Sequence, residues 1–292
     1  ALDGTGIPEG LFQYIHTDHT TCEKIISDTR IAHVVFTGSV NGGKQIKKYI
    51  GQRFINVGLE LGGKDPAYVR ADCDLNHAIE NLIDGAFFNS GQSCCGIERI
   101  YVDKSIFKDF VDGAKSLTEK YVLGDPSKTN TNLGPVVKLS AANFIRSQLD
   151  EAISQGANKV VDETKFDIAS QDSCYIAPQI LVNVNHDMRF MTEETFGPTV
   201  GIMSVESESE AINLMNDSPY GLTASIWTKD LEFSKNFGRK IETGTFFMNR
   251  CDALDPALAW TGVKDTGVGC SLSKFAFDHL TRPQSFHMRK LS

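Results

Sequence analysis

The fold is decided by residues 31–63, which have the sequence IAHVVFTGSVNGGKQIKKYIGQRFINVGLELGG. Short apolar runs alternate here with stretches of helical spacing, and the same alternation starts upstream at residue 11. The pattern predicts strands at 12–16, 32–36 and 55–60 and helices at 22–27 and 43–50. The order βαβαβ is one half of a doubly wound parallel sheet. We therefore predict an α/β fold that opens with a partial Rossmann-type sheet.

The rest of the chain predicts a second α/β domain. Within residues 74–89 the apolar side chains recur at intervals of three and four, which predicts an amphipathic helix capped by Asp72 or Asp74. Further strands are predicted at 99–102, 179–184, 224–227 and 245–249, and further helices at 105–121, 141–154 and 208–216. The change of pattern near residue 61 places the domain boundary there.

Composition excludes several classes of protein. The net charge of −8 is spread along the 292 residues without a basic stretch, so neither nucleic acid nor an anionic membrane is expected as a partner. No apolar stretch has the length of a membrane span, and the N-terminal residues do not form a secretory signal. The seven cysteines lack zinc-binding spacing, so we expect reduced thiols, no metal site and an intracellular protein, in the cytoplasm or alternatively in mitochondria.

Residues 36–43, FTGSVNGG, place glycines and a serine between a predicted strand and a predicted helix. Small residues at such a junction let backbone N–H groups and a helix N-terminus approach a phosphate. A tight turn without a ligand is the alternative.

Residues 59–66, LELGGKDP, end an apolar strand with Glu60. A carboxylate in apolar surroundings has a raised pKa, which suits a general base. A glutamate turned to solvent is the alternative, but the adjacent Gly62 and Gly63 indicate that the backbone closely approaches another group.

Residues 87–95, FFNSGQSCC, place two cysteines after the amphipathic helix. A thiolate is a strong nucleophile where the thiol is accessible and its pKa is lowered. A buried structural cysteine is the alternative, and the motif alone does not decide between them.

The combination of motifs is more specific. FTGS, LELGGK and GQSC are followed by EETFGP at 193–198 and YGLTASIWTKD at 220–230. Taken in this order, they resemble the aldehyde dehydrogenase superfamily over nearly the whole chain. The resemblance implies that Cys94 is the nucleophile, which attacks an aldehyde and ends as a thioester. It implies that Glu60 is the general base for hydrolysis, and that Cys95 is a supporting residue.

The resemblance also implies a cofactor, NAD or NADP. Six positions match the family's cofactor contacts: Gly38, Ser39 and Gly43 beside the pyrophosphate, Leu61, and Glu194 and Phe196 beside the nicotinamide-side ribose. It further implies a small-molecule aldehyde as substrate and assembly into a homo-oligomer. The domains expected are the C-terminal half of the dinucleotide-binding domain at 1–60, the catalytic domain at 61–279 and an oligomerisation tail at 280–292.

The chain departs from the family pattern in two ways. Its closing motif, AWTGVKDTGVGC at 259–270, has Cys270 where arginine is usual, which indicates a divergent subfamily. The family's oxyanion asparagine, its adenosine-ribose lysine and the first half of its cofactor sheet all precede the region that matches Ala1. We therefore expect a fragment or a truncated form, with the activity of this chain alone left open.

Two other functions compete with aldehyde oxidation. A noncatalytic relative with a structural role is one, although it has no need of both Glu60 and Cys94. A cysteine esterase is the other, because hydrolysis of a thioester requires no cofactor.

Overall fold

A computed structural model describes residues 4–170 and 172–291. The helices, in chain order, are α1 (His19–Ser27), α2 (Val40–Ile50), α3 (Leu75–Phe87), α4 (Phe107–Thr118), α5 (Leu139–Ser154), α6 (Arg189–Thr192), α7 (Glu208–Asn216), α8 (Leu231–Gly238) and α9 (Phe275–Leu280). The strands are β1 (His33–Thr37), β2 (Asn56–Glu60), β3 (Asp65–Val69), β4 (Ile97–Asp103), β5 (Asn158–Lys159), β6 (Gln179–Val182), β7 (Thr199–Val205), β8 (Thr223–Trp227), β9 (Thr245–Met248) and β10 (Gly267–Val268). They confirm an α/β fold with mostly parallel sheets.

The smaller sheet has the strand order β1-β2-β10 within the described residues. β1 and β2 are parallel and in register from His33 opposite Asn56 to Thr37 opposite Glu60, so their carboxyl ends meet at one edge. β10 pairs antiparallel with β2 and brings the C-terminal part of the chain to the same edge. Ligands of α/β proteins bind at this edge of a parallel sheet.

The larger sheet has the order β5-β6-β7-β4-β3-β8-β9, and all of its pairs are parallel except β5 with β6. Its central strands are buried on both faces. α3 and α4 pack together on one face, where Ile83 and Phe110 are fully buried, and α7 and α8 contribute to the other, where Tyr68 stacks on Phe237. Burial on both faces is what a parallel sheet requires.

The predicted strand at 12–16 is wrong. These residues have no regular secondary structure, and Tyr14 and Ile15 are exposed to 80% and 64%. An extended segment becomes a strand only when another strand takes up its backbone hydrogen bonds, and none lies beside it in the part of the chain that the structure describes.

Several elements after residue 61 were not predicted, among them β3, β7 and α8. β3 is fully buried although it contains Asp65 and Pro66, two residue types that are depleted in strands. β7 has Gly201 in its interior, and α8 is a short helix capped by Asp230. The predicted helix at 105–121 is shorter than expected, because 3-10 geometry at Lys104–Ile106 precedes α4.

The predicted division into domains at residues 60 and 279 stays a prediction. In residues 4–170 and 172–291, no helix combines the length and apolar character that crossing a bilayer requires.

Candidate active site

One cavity of about 440 Å³ gathers most of the residues that the motifs singled out. Its walls are formed by Thr37, Gly38, Ser39, Glu60, Leu61, Gly62, Cys94, Glu194 and Phe196. Gly43 lies one layer behind the wall, where a Cβ would come within 2.7 Å of the Leu61 methyl groups. The structure therefore brings together residues from four separate motifs.

Cys94 is placed by a sharp change of direction after α3. The chain turns through a short 3-10 segment at Phe88–Gly91, in which Asn89 and Ser90 have φ values of 50° and 56°. A tight turn follows, closed by the Gly96 amide donating to the Ser93 carbonyl over 3.1 Å. Cys94 lies in this turn, half-buried, before β4 begins.

Cys95 is the buried neighbour of Cys94, and its sulfur lies 2.9 Å from Asp252 Oδ1, so its single proton can be donated either to that oxygen or to Cys94. The pKa of Cys94 is lowered to about 7, chiefly because the Cys95 thiol also lies within hydrogen-bonding reach of its sulfur. Burial of Cys94 acts in the opposite direction, as do the nearby charges of Glu60 and Asp252. The pKa of Cys95 is raised for the complementary reason, so Cys95 remains a protonated donor.

Glu60 ends β2 at the edge where β1 and β2 meet, and its backbone carbonyl accepts from the Gly38 amide over 3.1 Å. Its side chain is half-buried and accepts a hydrogen bond from the Ser271 hydroxyl. β10 lies antiparallel to it, with Gly267 opposite Glu60. The carboxylate thus faces the cavity with a hydroxyl group as its neighbour.

Gly62 and Gly63 have the close neighbours that the sequence indicated. A Cβ on Gly62 would lie 2.2 Å from Glu194 Oε2, and one on Gly63 would lie 2.4 Å from the Cys94 carbonyl oxygen. Only glycine lets both groups approach the chain immediately after Glu60. The pair therefore links the predicted base, nucleophile and ribose-contacting residue.

Glu194 lies over this glycine pair and accepts from the Gly63 amide over 3.1 Å. Its pKa is raised to about 7, first by burial and then by the negative charge of Glu98. The Gly63 hydrogen bond and the Lys64 ammonium oppose this rise. At neutral pH the carboxyl group can therefore both donate and accept hydrogen bonds.

Residues 1–286 match the family model described as "Aldehyde dehydrogenase family". The chain belongs to the aldehyde dehydrogenase family. It is 34% identical over 283 residues to 3-sulfolactaldehyde dehydrogenase of Priestia megaterium, a match that covers 96% of this chain and 57% of the relative. It is 32% identical over 280 residues to the succinate semialdehyde dehydrogenase [NAD(P)+] of Escherichia coli, covering 96% and 60%.

Solved structures of other members have the same fold. Betaine aldehyde dehydrogenase from Staphylococcus aureus, in complex with NAD+, superposes with a TM-score of 0.82 at 31% identity, covering 88% of this chain and 51% of that one. The NADP-dependent glyceraldehyde-3-phosphate dehydrogenase from Bacillus halodurans C-125, complexed with NADP, gives 0.83 at 34% identity, covering 89% and 53%. The chain thus spans about half to three-fifths of the length of these relatives.

The site of this aldehyde dehydrogenase chain has features that suit a dinucleotide. Ser39 caps α2 with its hydroxyl, and Gly38 and Gly42 pack so closely on Phe36 that a Cβ at either would lie 2.6 Å from its ring. The N-terminus of α2 borders the cavity at Gly38 and Ser39. Such a helix end binds phosphate groups well, so the residues present fit the pyrophosphate of NAD or NADP.

Sequence reasoning missed the residues that hold the cavity in shape. Lys64 and Glu98 form a buried ion pair beside Glu194, and Asp252 and Ser271 contact Cys95 and Glu60. Lys64 belongs to the LELGGK motif and so carried a signal, whereas Glu98 lies beside Arg99 in β4 and carried none. For Asp252 and Ser271 the signal was their place near the unusual closing motif.

Cys270, the departure from the family pattern, does not line the cavity of Cys94. It borders a neighbouring cavity of about 250 Å³, together with Trp260, Ser271, His279 and Glu60. Trp260 also packs beside Cys94 and Cys95. Glu60 therefore borders both cavities.

Proposed function

We propose that this chain carries the catalytic centre for oxidation of an aldehyde to a carboxylic acid with NAD or NADP. The observation that carries the proposal is that Cys94, Glu60 and Glu194 face one cavity whose rim is the N-terminus of α2. A nucleophile, a base and a phosphate-binding helix end meet there within a family of aldehyde-oxidising enzymes. The aldehyde itself is a small molecule.

The first step belongs to Cys94. With a pKa of about 7 it is about half thiolate at pH 7, and the sulfur of the thiolate adds to the aldehyde carbon to give a thiohemiacetal. The bound cofactor supplies an acceptor for the hydrogen and two electrons that this carbon must lose. A thioester on Cys94 results.

The second step belongs to Glu60. Its carboxylate takes a proton from water, which then attacks the thioester and releases the acid and the Cys94 thiolate. The Ser271 hydroxyl orients the carboxylate through a direct hydrogen bond. We therefore assign Glu60 as the base and Ser271 as a residue that positions it.

We assign cofactor contacts to three places on the cavity wall. The end of α2 at Gly38 and Ser39, with Gly43 and Leu61 packed behind it, would hold the pyrophosphate. Glu194 would hold the nicotinamide-side ribose, because a carboxyl group with a pKa near 7 can bond sugar hydroxyls as donor or acceptor. Phe196 would cover the same ribose.

The experiment is a pair of assays on the purified chain and on its Cys94→Ser variant. Formation of reduced cofactor is followed with a panel of aldehydes and NAD or NADP, and hydrolysis of an activated ester is followed with and without cofactor. We expect ester hydrolysis, and whatever aldehyde-dependent reduction the chain supports, to be lost in Cys94→Ser. Ester hydrolysis alone would favour the cofactor-independent esterase, and neither activity would favour a noncatalytic role.

We also propose that the chain assembles into homo-oligomers and works in the cytoplasm. The tail that follows α9 leaves Phe286, Met288 and Leu291 exposed to 69%, 80% and 81%, which suits burial in a contact with another copy. All seven cysteines are unpaired thiols, as a reducing compartment would leave them. Light scattering with and without residues 280–292 tests the assembly.

A further inference from the structure

A buried ion pair lies behind the cavity and takes no part in the steps described above. Lys64 Nζ is 2.5 Å from Glu98 Oε2, and the two side chains are exposed to only 0% and 5%. Lys64 precedes β3 and Glu98 lies in β4, so the pair joins two adjacent central strands. Burial lowers the pKa of Lys64, and Glu98 opposes that shift.

The pair forms hydrogen bonds to the loop that carries Glu194, and we call this set of contacts the clamp. Glu98 Oε1 accepts from the Phe196 amide over 3.0 Å, and its Oε2 accepts from the Thr195 amide over 2.9 Å. Lys64 Nζ donates to the Thr195 hydroxyl over 2.9 Å. Two consecutive backbone amides and one side chain of the loop are thus tied to the two charged groups.

The clamp contacts a residue with a strained backbone conformation. Phe196 has a φ of 54°, in the left-handed region that a bulky residue rarely adopts, and it is still 40% exposed. Such a conformation persists only where its surroundings enforce it, and strain of this kind collects at ligand sites. The Glu98 carboxylate is the group that meets the Phe196 amide in this conformation.

The clamp also helps to fix the position of Glu194. The residue directly precedes the clamped amides, and its carboxylate is pressed against Gly62 while it accepts from the Gly63 amide. Lys64 continues the same stretch of chain. The clamp therefore fixes Glu194 from both sides, relative to the backbone that leads back to Glu60.

An ion pair is a poor way to stabilise a core. Removing two charges from water costs so much that an apolar pair of similar volume is often as stable. This buried pair also accepts hydrogen bonds from two amides of the loop. Its presence is therefore better explained by the loop conformation that these hydrogen bonds maintain.

We propose that Glu98 and Lys64 are positioning residues that hold the Thr195–Phe196 amides, and with them Glu194, in the geometry that binds the nicotinamide-side ribose. The inference rests on the proposed function for the identity of the ligand but not for the clamp itself. Glu98 touches neither substrate nor cofactor in this scheme and acts only through the loop.

The test compares Glu98→Leu, which removes both acceptors, with Glu98→Gln, which keeps one uncharged acceptor for the amides. Lys64→Met, combined with Glu98→Leu, supplies an apolar pair without a stranded charge. Hydrogen exchange at residues 194–197 is measured first, on the chain without cofactor. We expect faster exchange there in both Leu-containing variants, with partial recovery in Glu98→Gln and no change in α2.

Binding of NAD and NADP is then measured by calorimetry, and alkylation of Cys94 by iodoacetamide serves as a cofactor-independent control. We expect Kd to rise about tenfold in Glu98→Leu and less in Glu98→Gln, as for loss of charge-assisted hydrogen bonds that place one contact. Alkylation should stay within about twofold of the parent chain.

The outcomes separate the two proposals. Unchanged exchange at 194–197 in the folded double variant overturns the clamp, whatever the chain binds. Loosened exchange with unchanged Kd overturns its role in positioning. A parent chain that binds neither dinucleotide overturns the proposed function, and the exchange data still decide whether the clamp exists.

Discussion

Replacing Cys95 with alanine should make Cys94 harder to ionise. The Cys95 thiol is the largest influence that lowers the pKa of Cys94 from its ordinary 9.0 to about 7. Alanine removes that donor but leaves Asp252 and Glu60, whose negative charges favour the protonated thiol. Cys95→Ser keeps a hydrogen-bond donor at the same position, so it is the matched control.

The size of the effect follows from the thiolate fraction. At pH 7 a thiol with a pKa of about 7 is half ionised, whereas one with a pKa of 9.0 is about 1% ionised. The thiolate of higher pKa is also the better nucleophile, by about tenfold for a difference of two units. Complete loss of the shift would therefore slow alkylation about fivefold at pH 7 and speed it about tenfold above pH 10.

The assay is the pH dependence of alkylation by iodoacetamide, with Cys94 identified by peptide mapping. At pH 7 little competition is expected from Cys73 and Cys251, because burial raises their pKa values to about 11 and about 12. We expect the rate curves of Cys95→Ala and the parent chain to cross. Superimposable curves for Cys95→Ala and the parent, or equal shifts in Cys95→Ala and Cys95→Ser, would refute a role for the donor.

Three further predictions test other parts of the site and the fold. Glu60→Gln should keep the initial burst of ester cleavage and slow the later turnover about a hundredfold or more, because the base is needed for deacylation only; loss of the burst would contradict this. Gly62→Ala should displace the Glu194 carboxylate and weaken dinucleotide binding in calorimetry, whereas Gly63→Ala should destabilise the fold by about 1–3 kcal/mol in urea unfolding, since its Cβ would meet backbone only 2.4 Å away. The pKa of His186 is lowered chiefly by burial, so the unfolded chain takes up a proton first and stability should fall as the pH drops below about 6.5; the difference in Tm between pH 8 and pH 5.5 should shrink in His186→Gln.

The local sequence pattern was sufficient to predict those elements whose apolar residues recur with a clear helical or strand period. The helix predicted at 208–216 has those bounds in the structure, because Ser207 caps it and its apolar residues recur at helical spacing. α2 begins three residues earlier than the predicted 43–50, because the Ser39 hydroxyl caps the Gly42 amide and allows two glycines into the first turns. In both cases the cap is local, so the sequence contains the information.

Elements that depend on distant partners could not be predicted in this way. β10 is only two residues long, and it forms because Gly267 and Val268 meet β2 more than 200 positions upstream. β3 is a strand because it is buried between β4 and β8, despite the composition of its first two residues. Pairing, and not propensity, decides both.

The same limit applies to the site. Cys94, Glu60 and Glu194 could be singled out because each lies in a motif whose order resembles one family. Glu98 could not, since an acid in a strand is ordinarily expected to face water. Its role appears only when Lys64 and the two loop amides are found around it.

Three glutamates around the cavity have different proposed roles, and the difference arises from their surroundings because the residue type is the same. Glu98 is buried against an ammonium group and two amides. Both of its oxygens already accept hydrogen bonds, so its role is to keep the Thr195–Phe196 loop in place. Glu194 is half-buried and accepts from one amide, and its partial burial and the nearby charge of Glu98 raise its pKa to about 7, which leaves an oxygen for a ligand hydroxyl. Glu60 is half-buried at the junction of two cavities and bonds a single, neutral hydroxyl, which leaves its second oxygen available to water. Titratable groups placed in unlike surroundings take unlike roles, and of these three only Glu60 borders both cavities.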